Sequence, residues 1–297
     1  MSVPANPQSA IRNPQSIGPQ SAGPQWGFWL HQIMAIIRLE LGKTLWGKRS
    51  LLLYLGAAGP ILLMALLVMN DRGARRDIQQ NFGDAQQMFG LLYEGLLLRS
   101  VVFFGCAWLF MNLFRGEIVD KSLHYYFLSP VRRGTLLTGK YIAGLITAWV
   151  LMIGSTAGTL FFFYTPRGWS GALQQLFEDG GLGVAMTYLA MTALACAGYG
   201  AVFLVIGLFF RNPIIPALAV YGWEWLNFLL PPGLKKLSVI HYVHSLQPVP
   251  VDDGPLAIIG EATPAWIAVP GMLLFTALVL WLASQRIRRV EISYGGE

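Results

Sequence analysis

The chain has 297 residues, 55% of them hydrophobic and only 12% charged, with a formal net charge of +6. A soluble globular domain carries about 25% charged residues, so the composition excludes an ordinary water-soluble protein. The basic residues flank apolar runs instead of forming a soluble patch, which argues against nucleic acid as a partner.

Residues 1–25 are low in complexity. Asn6-Pro7-Gln8-Ser9-Ala10 nearly recurs as Asn13-Pro14-Gln15-Ser16-Ile17 and again as Gly18-Pro19-Gln20-Ser21-Ala22. Such a segment buries too little apolar surface to offset its ordering entropy, so a disordered tail is expected. No cleavable signal peptide is expected, because the first apolar run begins near residue 51.

Residues 26–50 read as an amphipathic helix. Leu30, Ile33, Met34, Ile37, Leu41 and Leu45 form one apolar stripe at helical spacing, with Gln32, Glu40 and Lys43 elsewhere on the wheel. With Arg38, Lys43, Lys48 and Arg49 near anionic headgroups, the helix suits a membrane interface.

Six long apolar runs follow: Leu51–Met69, Gly95–Phe114, Leu136–Tyr164, Gly181–Phe210, Ile214–Leu230 and Pro264–Ala283. An apolar helix of about 20 residues rises about 30 Å, the thickness of a bilayer's hydrocarbon core. Lipid cannot hydrogen-bond a bare backbone, and continuous runs select helices over an alternating barrel. One polytopic all-α domain over residues 51–290 is expected, with a short tail at 291–297. With the N-terminus taken as cytoplasmic, most Lys and Arg fall on the inner side, which places both termini there.

The first run carries Gly59-Pro60, a candidate kink, and a polar loop from Asn70 to about Gln87 follows it. The second run begins with Glu94 and Arg99. Five residues apart on an α-helix they are about 140° apart and share no face. Two readings stay open for them: an intramembrane functional site, or side chains that snorkel to water from the outer end. The third run holds Gly154-x-x-x-Gly158 and the fourth holds Gly198-Tyr199-Gly200. Small residues let helices approach closely, within the chain or across a dimer seam. The fourth run exceeds one crossing and is expected to tilt or break near Gly198–Gly200.

Arg211-Asn212-Pro213 makes a tight turn into the fifth run, where Glu224 sits between Trp223 and Trp225. It faces a polar lumen or is anchored among interfacial tryptophans. The connection from Gly233 to Thr263 has room for short helices dipping into the outer leaflet. Its His241-x-x-His244 pair lacks a third nearby ligand, so no metal is assigned. Cys106 and Cys196 fall inside runs and read as small core residues.

The most distinctive stretch joins the second and third runs. In residues 114–133, Glu117, Asp120, Lys121 and His124 recur three or four apart as a charged stripe. Leu123, Tyr126 and Phe127 supply an apolar, aromatic side, and Pro130 ends the helix. Such a helix is either a docking peg, with aromatic anchors and register-setting charges, or an ordinary interfacial loop. After it, Lys140 can snorkel at the start of the third run.

This stretch, with Leu128-Ser129-Pro130-Val131-x-Arg133 and then Gly139-Lys140-Tyr141, resembles the loop of ABC-2 type ABC transporter permeases. The resemblance spans about residues 28–290. It implies six transmembrane helices, an N-terminal amphipathic interfacial (elbow) helix, and a cytoplasmic coupling helix between helices 2 and 3. It implies a dimer of permeases, here a homodimer, in a plasma or inner membrane, served by cytoplasmic ATPase subunits that hold ATP and Mg. Arg115, Glu117, Asp120, Lys121, His124, Tyr125, Phe127, Arg132 and Arg133 would then contact the ATPase. The chain has no Gly-x-x-x-x-Gly-Lys-(Ser/Thr) phosphate loop, so ATP hydrolysis is expected from another chain, and this one is expected to be neither an enzyme nor a cofactor carrier. Its expected function is the permease of an exporter; the alternative is a stand-alone six-span carrier or channel using Glu94, Arg99 and Glu224.

Overall fold

The computed structural model describes residues 25–47, 50–119, 133–178, 180–249 and 263–289. Among them every regular element is helical. Five helical segments are long and apolar enough to cross a membrane: Ser50–Asn70, Phe82–Gly116, Arg133–Phe177, Gly181–Phe209 and Ala265–Ile287. The chain thus has the character of an all-helical, multi-pass membrane protein.

In chain order, α1 (Gln25–Leu45) precedes α2 (Ser50–Asn70). The expected polar loop is itself largely helical: α3 (Arg72–Gln80) starts at Asp71, whose side chain accepts from the backbone N–H of Gly73 at 2.8 Å. That bond satisfies one of the orphan donors of a helix start. The second crossing is composite, with α4 (Phe82–Leu92), a π-helical stretch Tyr93–Val102, and α5 (Phe103–Val119). The third is α6 (Arg133–Ala148), a π-turn Trp149–Ile153 and α7 (Gly154–Tyr164), leading to α8 (Gly168–Phe177).

The fourth crossing, α9 (Gly181–Phe209), runs 29 residues unbroken through Gly198–Gly200. The expected break is absent because these glycines are filled from outside. A Cβ on Gly200 would stand 2.5 Å from the Phe110 ring, and one on Gly198 would meet Met272. The close approaches hold α9 against α5 and the last helix, so the small residues serve packing within the chain. Gly158 likewise meets Ile61 of α2, beside a hydrogen bond from Ser155 Oγ to the Ala57 carbonyl at 2.6 Å.

The fifth apolar run is divided. It forms α10 (Ile214–Trp225), 12 residues long, then a 3₁₀ turn Leu226–Leu229. Twelve residues rise only about 18 Å, short of a hydrocarbon core. Two short helices follow, α11 (Pro232–Lys235) and α12 (Val239–His244), before α13 (Ala265–Arg289).

One end of the bundle gathers α1, the end of α5, the start of α6 and the end of α13. Arg115 Nη1 donates to the Arg211 carbonyl, and Arg133 Nη1 donates to the Ile287 carbonyl at 3.2 Å. At the opposite end Gln79 Nε2 donates to the Pro166 carbonyl at 2.7 Å, and the Arg167 guanidinium lies 4.3 Å from the Phe82 ring centre.

α1 buries part of its apolar stripe within the protein and leaves part of it outside. Ile37 and Glu40 are buried and Ile36 packs on Gly139, while Leu30 and Met34 are 64% and 65% exposed. Lys140 helps to set which face of α1 turns inward. It is fully buried instead of snorkelling, and its ammonium pairs with Glu40, itself 2% exposed, and donates to the Leu113 carbonyl at 3.0 Å. Burying a lysine in this setting requires a counter-charge, so Glu40 must turn inward and the helix rotates with it.

Candidate functional site: a buried polar junction

The junction is built on the π-helical stretch Tyr93–Val102. An α-helix turns every 3.6 residues; a π-helix, bonded i to i+5, takes roughly 4.4. Residues five apart then fall within about 50° of each other instead of 140°. Glu94 and Arg99 therefore share a face, contrary to the α-helical expectation, and Arg99 Nη2 meets Glu94 Oε1 at 2.7 Å. Nor do they sit at a helix end. The helix begins at Phe82 and runs to Gly116, so the pair lies near its middle, with side chains only 12% and 10% exposed. Within the protein the two charges neutralise each other.

Arg99 also reaches the end of α10. Its Nη1 donates to the Glu224 carbonyl at 3.3 Å, and its guanidinium lies 5.3 Å from the Trp225 ring centre, within cation–π range. The carboxylate of Glu224 points the other way, into the interior. It accepts from Ser238 Oγ at 2.7 Å, from the backbone N–H groups of Val239 and Ile240 at 3.1 and 3.0 Å, and from the Tyr199 hydroxyl at 3.3 Å. Glu224 thus supplies the N-terminal cap of α12 from 15 residues upstream. A helix start exposes unpaired N–H groups and a partial positive charge, and a carboxylate satisfies both. α10 and α12 are thereby held as a pair, and the turn between them closes the fifth apolar run.

The fourth member is His244, at the end of α12. Its Nδ1 lies 3.1 Å from Glu94 Oε2, so Glu94 is shared between Arg99 and His244. The two histidines do not converge: His241 Nε2 lies 3.4 Å from Thr263 Oγ1. Among the described residues no three His, Cys, Asp or Glu side chains are placed to hold a metal. His241 is held below the usual histidine range, first by burial and then by the positive charges of Lys235 and Lys236 and the neighbouring His244.

A separate hydroxyl chain runs beside the junction. Tyr93 Oη lies 3.0 Å from Thr192 Oγ1, which lies 3.0 Å from Thr156 Oγ1, joining the second, third and fourth crossings. At the α1 end, a small cavity of about 80 Å³ opens between α1, α2 and α5, lined by Glu40, Lys43, Ser50, Trp108 and Asn112 among others.

The three intramembrane candidates Glu94, Arg99 and Glu224 are thus brought together. His244, Ser238 and Tyr199 complete the junction and were not assigned to it from sequence, since nothing in the chain pairs residue 94 with residue 244. Of the residues expected to contact an ATPase, Arg115 and Arg133 lie at the α1 end; Glu117 is in the last turn of α5; Asp120, Lys121, His124, Tyr125, Phe127 and Arg132 fall outside the described residues. Arg38 and Lys43 are exposed on α1, while Lys48 and Arg49 are again outside. No family model, no curated protein and no solved structure matches this chain.

Proposed function

We propose that the chain is the membrane-spanning permease subunit of an ATP-driven transporter of the ABC-2 type, working as an exporter, with ATP hydrolysis supplied by a separate cytoplasmic subunit. The sequence motif of residues 114–141 supports this reading. The observation that carries it is the Glu40–Lys140 pair. It ties α1 to the start of α6, one short helical stretch after the charged aromatic segment, and Lys140 reaches α5 through the Leu113 carbonyl. A push on residues 117–132 would therefore move both flanking crossings and α1 as one body, which is what coupling to a nucleotide-driven partner requires.

In this reading α1 is the elbow helix, its exposed Leu30 and Met34 resting in lipid. Residues 117–128 would be the coupling helix, those from 120 on lying outside the described residues. α10 with its 3₁₀ turn serves as a short fifth crossing, which makes six crossings and puts both termini on the cytoplasmic side. α11 and α12 are the short helices of the outer leaflet. Two copies form the translocation path. The test is co-purification of the tagged chain followed by identification of an associated subunit bearing a phosphate loop. Reversal of charge in E117K/D120K should then lower transport-coupled ATPase activity and leave membrane insertion intact; unchanged coupling would count against the docking role.

A second reading draws on the junction itself. Ionisable groups gathered midway along apolar helices are a hallmark of carriers driven by ion gradients. Flux through the purified chain under an ion gradient, without ATP, would favour it.

A further inference from the structure

The junction holds two carboxyl groups, Glu94 and Glu224, against one permanent cation, Arg99. Both carboxyls are buried. Among the described residues, α9 presents the Tyr199 hydroxyl and no charge, and α13 carries none before Arg286. Lys235 and Lys236 act on His241, in the preceding turn of α12. An uncompensated charge in an apolar setting is costly, and the titratable group in contact with Glu94 is the imidazole of His244, whose side chain is 29% exposed and so open to proton exchange.

We propose that His244 is a proton-binding site that locks α12 onto the second crossing. With the proton bound, the imidazolium donates from Nδ1 to Glu94 Oε2, and α12 is clamped at both ends, by Glu224 at its start and by Glu94 at its finish. With the proton lost, the ionic clamp at the finish is lost, and the helix keeps Glu224 at its start, the hydrogen bond from Gln247 Nε2 to the Gly90 carbonyl at 3.2 Å and its buried Val239, Ile240 and Val243. The chain from Ser238 to Gln247 thereby reads the pH on its own side of the membrane. Binding of the proton does not depend on whether an ATPase docks at the other end.

The test is hydrogen exchange of the amides of residues 239–244 in the purified full chain in lipid nanodiscs, from pH 5.5 to 8.5, corrected for intrinsic exchange. Protection in the wild type should fall by about tenfold as pH rises, the equivalent of one proton-linked unit. H244Q and E94Q should each abolish the step, and H241Q should retain it. The same series in sodium, potassium and choline chloride separates a proton from a metal cation. Protection independent of pH in the wild type, a step that survives in H244Q, one lost only in H241Q, or one that follows sodium instead of pH would overturn the proposal. The wild-type measurement decides even where a variant fails to fold.

Discussion

Glu94 and Arg99 are five residues apart on one helix and form an ion pair at 2.7 Å, because the backbone between them is π-helical. The same distortion turns Arg99 toward the Glu224 carbonyl and leaves the second Glu94 oxygen for His244. A π-stretch inside an α-helix frequently marks a functional position, and here it converts two side chains that would diverge into the centre of a junction between three segments.

Removing either partner of this pair should destabilise the protein more than removing both. R99M leaves the buried Glu94 carboxyl without its guanidinium partner and is expected to cost about 3–5 kcal/mol. E94Q/R99M should recover much of that loss. Thermal unfolding of the single and double variants in detergent gives the coupling energy directly.

The Glu40–Lys140 pair should behave in the same way but report on a different body. K140M strands Glu40 in the interface between α1 and α6, at a cost of about 3–5 kcal/mol, whereas E40M/K140M restores packing. Limited proteolysis within residues 45–50 should accelerate in K140M, because α1 loses its anchor, and return toward the wild-type rate in the double variant.

Glu224 separates a cap from a charge. E224A leaves Ser238 Oγ and the N–H groups of Val239 and Ile240 without their acceptor and should cost about 2–4 kcal/mol, from the loss of more than one buried hydrogen bond. E224Q keeps one acceptor oxygen and should cost roughly half as much. Amide exchange at Val239 and Ile240 should rise in E224A before exchange in α9 does, since the cap belongs to α12.

His241 sets an acid-side limit. Its folded value is lowered, chiefly by burial and then by Lys235 and Lys236, so the unfolded chain binds the proton more readily. Above the ordinary value of 6.5 the group is neutral in both states and costs nothing. As pH falls below that value, stability declines until the lowered folded value is crossed. K235A/K236A should move this decline to smaller extent and H241Q should remove it, as read from unfolding midpoints between pH 7.5 and 4.5. The direction is opposite to that expected of His244, so the two histidines are distinguishable in one titration series.

Much of the architecture was legible in the chain. Length and continuity of the runs Leu51–Met69, Gly95–Phe114, Leu136–Tyr164, Gly181–Phe210 and Pro264–Ala283 located five long helices, because the requirement to satisfy every backbone group in lipid leaves a run of that length no other form. The second helix begins earlier, at Phe82, inside the expected polar loop, and the run Ile214–Leu230 is not among the five. The tight turn at Arg211–Pro213 and the interior placement of Cys106 and Cys196 followed from the same reading. Charges inside apolar runs also singled out Glu94, Arg99 and Glu224, since such residues are expensive wherever they occur.

What the sequence alone determined is therefore which segments are apolar enough to be helices and which residues are out of place in them. How those residues are paired was decided by tertiary structure. Glu94 meets Arg99 through a change of helical pitch, Lys140 meets Glu40 across 100 positions, and Glu224 caps a helix that begins 15 residues later. The physical reason is that apolar periodicity depends on neighbours along the chain, whereas a buried charge is neutralised by whatever the packing brings within about 3 Å, and that distance is not written in sequence order.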